Sequence, residues 1–228
     1  MNDNIDATAI IHDGVDIHPS VQIGSYSIVY PGVTIKKDVI VGDHTILGRK
    51  PSVGKNQMEL EQRTVDTIIE ENVIIGSQAI IYQGSRIGKD SYLADKCFIR
   101  ENVNIANNVV IGTGVTVSYN AKISSGVKIM TNSNIGGNME IGPNSFIGAH
   151  VCSVNDNLMD VDRPRTEMMS AKIGEHVLIG SNSTLLPEIV IESDNIIGSG
   201  AVVTKSIKGK NGLYLGIPAR KVKEIERE

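Results

Sequence analysis

The stretch that decides the fold, residues 99–123, reads IRENVNIANNVVIGTGVTVSYNAKI. Aliphatic residues recur in it at every sixth position, namely Ile99, Ile105, Ile111, Val117 and Ile123. A period of six is not helical, but it contains the two-residue period of a strand, and the β-branched residues between these positions suit a pleated strand. The stretch therefore predicts short strands separated by bends, with each aliphatic side chain stacked on its counterpart in the next layer.

The same period extends over most of the chain in three unbroken series. They run from Ile11 to Leu47, from Ile69 to Ile147 and from Ile173 to Val203. Together they contain 27 hexads, and Ile, Leu or Val occupies the key position of every one. Gly often follows the key residue, and we expect it to supply the backbone angles of the bend.

Composition and charge narrow the class of protein. Aromatic residues make up only 4% of the 228 residues and Trp is absent, so Ile and Val must fill the interior in many small layers. The net charge of −4 argues against a nucleic-acid surface. The apolar runs are too short to span a bilayer, the N-terminus lacks a signal-peptide pattern, and two cysteines make no disulfide framework. We expect a cytoplasmic protein without nucleic-acid or membrane partners.

The hexad order of aliphatic, Gly-like, two variable, small and one variable resembles that of the hexapeptide-repeat acyltransferases over roughly residues 5–225. The resemblance implies an all-β fold, a left-handed parallel β-helix with three hexads per coil. The 27 hexads then make about nine triangular coils in one domain, residues 1–228. Residues 48–68 and 152–172 lack the period, and we expect these two insertions to be functional loops. Residues 206–228 are predicted to form a cap, with a short helix from Arg220 to Glu228.

The C-terminal part carries the most specific motif. Gly198-Ser-Gly-Ala-Val-Val-Thr-Lys205 followed by Gly216-Ile-Pro-Ala-Arg220 resembles the ending of CoA-using members of the family. This resemblance implies acetyl-CoA or another acyl-CoA as co-substrate and no metal. Basic side chains there suit the phosphates of CoA, and backbone along the helix would hold its pantetheine arm. The expected cofactor-binding residues are Gly180, Ser199, Ala201, Lys205, Arg220 and Lys221.

Acyl transfer to an amine needs a group that takes a proton from it, ordinarily a carboxylate or a histidine. Asp95, Glu101 and His150 are the candidate catalytic residues, and we expect all three side chains to point outward. Because Asp95 and Glu101 are six residues apart, they are predicted to lie on adjacent faces of one coil near a shared corner. Arg100, between them, would hold a carboxylate in its charged form or bind a phosphate.

The second insertion also resembles a branch of the family that N-acylates nucleotide-linked amino sugars. Asn155-Asp156 followed by Arg163-Pro164-Arg165 is similar to its Thr-Asn-Asp…Pro-Arg loop, although Val154 replaces the Thr and the gap is longer. The resemblance implies a dTDP-linked 3-amino or 4-amino dideoxyhexose as acceptor, used for surface polysaccharides. It also implies a homotrimer with active sites between subunits. The expected substrate-binding residues are Arg100, Tyr82, Gln83, Asn155 and Asp156, with the base stacked near Tyr82.

The sequence leaves three other functions to be considered. An O-acyltransferase acting on a sugar or serine hydroxyl needs a stronger base, which His150 would supply. A zinc hydratase of the same fold needs three His ligands, and the wide separation of His150 and His176 argues against it. A non-catalytic scaffold would not need the basic C-terminal motif.

Overall fold

A computed structural model describes residues 4–52, 66–159 and 167–226. The described chain contains 30 strands, numbered here along the sequence, and they form three mostly parallel sheets. Strands 18 residues apart pair in register, as in Ile99 with Val117. The predicted all-β helix is therefore confirmed, and the hexapeptide pattern is consistent with its left-handed coil. None of the described residues forms a helix that is long and apolar enough to cross a bilayer.

Each coil contributes one strand to each sheet. Sheet 1 contains β1 (Ile10–Ile11), β4 (Ile28–Val29), β7 (Ile46–Arg49), β10 (Ile80–Tyr82), β13 (Phe98–Ile99), β16 (Thr116–Val117), β19 (Asn134–Ile135), β22 (Cys152–Ser153), β25 (Thr184–Leu185) and β28 (Val202–Val203). Sheet 2 contains β2 (Asp16–Ile17), β5 (Val33–Ile35), β8 (Thr67–Ile69), β11 (Arg86–Ile87), β14 (Asn104–Ile105), β17 (Lys122–Ile123), β20 (Glu140–Ile141), β23 (Lys172–Ile173) and β26 (Val190–Ile191). Sheet 3 contains β3 (Gln22–Ile23), β6 (Ile40–Val41), β9 (Ile74–Ile75), β12 (Tyr92–Leu93), β15 (Val110–Ile111), β18 (Lys128–Ile129), β21 (Phe146–Ile147), β24 (Leu178–Ile179), β27 (Ile196–Ile197), β29 (Gly212–Leu215) and β30 (Arg220–Glu224).

The interior is a column of stacked aliphatic side chains. The key residues Ile87, Ile105 and Ile111 are 0% exposed, and most other key positions are similarly buried. Burying one such side chain contributes about 1.5–3 kcal/mol before its entropy cost. Cys97 lies in the same core at 1% exposure, as predicted, and burial raises the pKa of its thiol to about 12.

The corners show that the expected role is wrong for the Gly that directly follows a key residue, which does not supply the left-handed backbone. Left-handed backbone occurs three residues after the key position, often at Asn, as in Asn102 and Asn120, with φ of 58° and 57°. Asn tolerates this conformation better than most residues. The Gly that directly follows the key residue serves close packing instead. A Cβ added to Gly88 would lie 2.4 Å from the carbonyl carbon of Ala106 in the next coil.

The start of the second insertion and the number of coils also differ from the prediction. The coil pattern continues through β22, so Cys152 and Ser153 belong to the helix and the second insertion begins after them. Ser153 occupies a key position, is 2% exposed, and its hydroxyl has no hydrogen-bond partner in the described structure. Since sheet 1 has ten strands, the coils number about ten rather than nine.

The predicted C-terminal helix is wrong. Arg220–Glu224 forms strand β30, which pairs antiparallel with β29. Lys, Arg and Glu have good helix propensity, but β29 offers a row of unpaired backbone groups at the end of sheet 3. Pairing with that edge satisfies those groups and outweighs the local preference.

Replacing Gly88 with Ala tests the packing role of the corner glycine. We expect a loss of about 1–3 kcal/mol in unfolding free energy, because the added methyl group overpacks a backbone contact. Denaturant unfolding measures it. Gly14→Asn is the matched control, since a Cβ there has no atom within 4 Å and Asn occupies the same left-handed position in other coils. Equal stability of the two variants would contradict the packing role.

Candidate functional site

Both insertions leave the helix at the same corner. The first corner joins sheet 1 to sheet 2, the second joins sheet 2 to sheet 3, and the third joins sheet 3 to sheet 1. The first insertion runs between β7 and β8, and the second between β22 and β23. The first corner is therefore where the regular coil is modified twice, and polar and aromatic side chains line it between the two insertions.

A buried ion pair lies on the first corner. Two of the three Arg100 side-chain nitrogens donate to the Glu101 carboxylate, Nε to Oε2 at 2.7 Å and Nη2 to Oε1 at 2.8 Å. Glu101 is 5% exposed, so the expectation of a solvent-exposed carboxylate is wrong for this residue. The Arg100 guanidinium lies 5.7 Å from the centre of the Tyr82 ring, and Tyr82 packs edge-on against Phe98. Arg100 thus holds a carboxylate, one of its two predicted roles.

The second insertion is anchored by Tyr119, which the sequence analysis missed. Its ring is 8% exposed and covers Gly137, where a Cβ would lie 2.5 Å from the ring. Asn155 donates from Nδ2 to the Tyr119 Oη at 3.1 Å, while the Asp156 Oδ1 accepts the Leu158 N–H at 3.1 Å, an Asx turn. Both predicted residues therefore organise the insertion. Arg163, Pro164 and Arg165 lie outside the described residues.

The first insertion borders a cavity of about 380 Å³. Its described lining consists of Tyr30, Pro31, Gly32, Gly48, Arg49, Lys50, Asp66 and Gln83. Gln83, predicted to contact substrate, thus lies at this cavity, and its N–H donates to the Arg49 carbonyl at 3.0 Å. The sequence did not predict this cavity, because its aromatic and basic lining residues come from three different coils.

The other two catalytic candidates lie on the third corner. Asp95 and His150 are exposed, and strand β13 separates Asp95 from Glu101, so the predicted shared corner is wrong. The Asp95 Oδ1 accepts the Ser77 N–H at 2.8 Å, as the Asp43 Oδ1 does for the Ser25 N–H two layers earlier. His150 has φ of 58° and is held by its N–H bond to the Thr131 carbonyl.

The expected cofactor-binding residues divide between two places. Gly180, Ser199 and Ala201 lie on the third corner in the last coils, where a Cβ on Gly180 would be 2.4 Å from the Ser199 nitrogen. Lys205 follows β28 and is exposed, as are Arg220 and Lys221 in β30. The Lys221 ammonium donates a hydrogen bond to the Glu224 carboxylate, and this bond raises the pKa of Lys221. Lys221 in the basic motif therefore pairs with an acidic residue of the same strand. Within the described part of the chain no cluster of His, Cys, Asp and Glu side chains suits a metal.

Family comparisons match the repeats. Residues 170–205 match the family described as Bacterial transferase hexapeptide (six repeats), and residues 66–94 match Hexapeptide repeat of succinyl-transferase. The predicted hexapeptide-repeat character is thus confirmed. A 53-residue stretch is 40% identical to galactoside O-acetyltransferase of Escherichia coli, covering 23% of this chain and 26% of that enzyme. A 37-residue stretch is 49% identical to the bifunctional protein GlmU of Wolinella succinogenes, covering 16% and 9%. The chain spans about a quarter or less of these relatives.

Solved structures share the fold. UDP-N-acetylglucosamine acyltransferase from Campylobacter jejuni superposes with a TM-score of 0.58 at 17% identity, over 96% of this chain and 74% of that one. A mutant of AntD, an N-acyltransferase from Bacillus cereus bound to dTDP-4-amino-4,6-dideoxyglucose and coenzyme A, gives 0.55 at 24% identity, over 63% and 84%. At these identities the likeness establishes the β-helix fold.

The buried pair predicts a strong dependence on Arg100. Arg100→Ala should cost about 3 kcal/mol of unfolding free energy, since it removes two charge-assisted hydrogen bonds from a carboxylate that is 5% exposed. Adding Glu101→Gln should recover part of that loss, because the amide carries no charge. Denaturant unfolding of both single variants and the double variant measures the coupling. The exposed pair Lys122–Glu140, at 3.1 Å, is the control, and Lys122→Ala should cost less than about 1 kcal/mol. Additive losses would rule out the coupling.

Proposed function

We propose that this hexapeptide-repeat protein is an acyl-CoA-dependent N-acyltransferase whose acceptor is the amino group of a nucleotide-linked amino-deoxy sugar. The observation that carries the proposal is the concentration of both insertions and the Arg100–Glu101 pair on one corner. The Gly-rich, basic C-terminal end supports acetyl-CoA or another acyl-CoA as donor. The acceptor is a dTDP-linked 3-amino or 4-amino dideoxyhexose for surface polysaccharide synthesis.

The reaction requires few groups from the protein. A carboxylate or imidazole takes a proton from the sugar ammonium, and the free amine attacks the thioester carbonyl. The tetrahedral intermediate expels the CoA thiolate, which receives a proton as the amide forms. Asp95 and His150 are the exposed candidates for the base, whereas Glu101 is buried and acts by positioning Arg100.

A homotrimer would complete such a site. Within one chain the candidate residues occupy the first and third corners, on opposite sides of sheet 1, so a second copy is needed to bring the two groups together. Sheet 3 supplies an apolar surface for packing, because the outward side chains of Ile40, Ile74, Tyr92, Phe146 and Leu178 are 36–45% exposed. Three copies related by a threefold axis form a closed assembly.

An O-acyltransferase is the second candidate. The exposed imidazole of His150 favours it, since a neutral hydroxyl is a weak nucleophile and needs a stronger base than a carboxylate. Its acceptor would be a sugar or serine hydroxyl. The same assay separates the two functions when paired acceptors differ only in an amine or a hydroxyl.

Thiol release from acetyl-CoA tests the proposed reaction. We expect release with one dTDP- or UDP-linked amino sugar and none with its hydroxyl analogue, because the amine is the nucleophile. Asp95→Asn and His150→Ala should then differ, with the variant that lacks the base losing at least about 100-fold in kcat. Release with hydroxyl acceptors alone would assign O-acylation, and no release with any amine would refute N-acylation.

Sedimentation tests the trimer. We expect a mass three times 24.5 kDa, and Ile74→Lys combined with Leu178→Lys should lower it and abolish thiol release, because buried charges oppose apolar packing. Val190→Lys is the matched control: Val190 is 42% exposed but lies on sheet 2. A wild-type monomer that is fully active would contradict a shared site.

A further inference from the structure

We infer that the cavity at the first insertion binds a nucleoside diphosphate, the carrier portion of the sugar nucleotide. This inference rests on the proposed function and assigns a place for the part of the substrate that does not react. The occupant is an anion with a planar ring at one end, and the cavity offers chemistry for both parts.

The cavity exists because one coil lacks its first-corner turn. In the coils above and below, three residues join sheet 1 to sheet 2, Tyr30–Gly32 after β4 and Gln83–Ser85 after β10. In the coil between them, β7 continues through Gly48 to Arg49 and the chain leaves the helix. It returns at Thr67, whose N–H donates to the Gly32 carbonyl at 3.0 Å. The missing turn leaves the space of about 380 Å³.

The lining suits a planar, anionic ligand. The Tyr30 ring is held from one side by His12, with ring centres 5.0 Å apart and nearly parallel, so its position is fixed before a ligand binds. Arg49 and Lys50 are exposed cations at the point of departure, and Arg side chains bind phosphate oxygens in a bidentate manner. Gln83 adds an amide that can pair with the edge of a base.

The second insertion provides the contrast. It too replaces a first-corner turn, but there the protein fills the gap with its own side chains. Tyr119 covers Gly137, and its hydroxyl donates to the Met168 sulfur at 3.9 Å. The gap at the first insertion is instead bordered by the cavity, and two cations, Arg49 and Lys50, line it together with Asp66. A gap kept open in an otherwise close-packed stack is expected where a ligand fills it.

The cavity also lies at a suitable distance from the candidate chemistry. Its coil is two layers from that of Arg100, which places them about 10 Å apart along the axis at the usual strand spacing. Tyr82 lies between them, paired with Arg49 in the sheet. A diphosphate leading from the cavity along the first corner would bring the sugar beside Arg100.

Calorimetric titration tests the assignment with dTDP, UDP, thymidine and inorganic pyrophosphate as probes. Saturating CoA is present throughout, so that the expected CoA site at the C-terminal end is already occupied and does not bind the probes. We expect dTDP or UDP to bind the wild-type protein, Arg49→Ala and Lys50→Ala each to weaken this by about tenfold, and Tyr30→Leu to weaken it without affecting pyrophosphate. Lys37→Ala is the control, because it removes an exposed cation at the second corner.

The outcomes separate this inference from the proposed function. Failure of both nucleotides to bind folded wild-type protein, unchanged binding by the Arg49 and Lys50 variants, or pyrophosphate binding as tightly as dTDP would each overturn the assignment. If nucleotide binding behaves as expected while no amino sugar is acylated, the cavity assignment stands and N-acylation fails. If a sugar nucleotide is acylated with the same KM by wild type and Arg49→Ala, N-acylation stands and the cavity assignment fails.

Discussion

The stacking of one aliphatic side chain on another every 18 residues is the interaction on which the molecule depends. Each layer must have inward side chains of the same size and shape as the next, because the interior is a narrow, close-packed column. The inward positions therefore accept few other residues. Chemistry is confined to the outward positions, the corners and the places where the chain leaves the column.

The architecture follows from local sequence for this reason. Key positions such as Ile99 and Ile105 predict strand, register and burial together, since a slip by one residue would turn every aliphatic side chain outward. The sequence also locates the two insertions, although Ser153 hid the strand before the second one. It fails at β30, where Arg220–Glu224 forms a strand because a neighbouring edge needed partners that local propensity does not report.

The candidate site could be predicted less well from the sequence. The sequence identified Arg100 and Glu101 as neighbours, but it did not show that their pairing buries the carboxylate, which depends on how the corner side chains pack. Tyr119 and Tyr30 were missed because their roles depend on insertions that remove corner turns. An aromatic residue one or two positions after a key aliphatic, in the coil before an insertion, is the signal that would have found Tyr30. Asp95 and Glu101 separate onto different corners because six residues is one full side of the triangle.

The antiparallel pairing of β29 with β30 has a consequence for the length of the column. A stack of parallel coils ends in three open strand edges, each a template on which another copy of the same repeat can add, so an uncapped column can grow into fibres. By reversing direction, the last strand presents a hydrogen-bonding pattern that no incoming parallel coil matches on that side. The charges of Arg220, Lys221 and Lys223 repel an identical end. The reversed strand thus closes this edge of sheet 3 to further parallel coils.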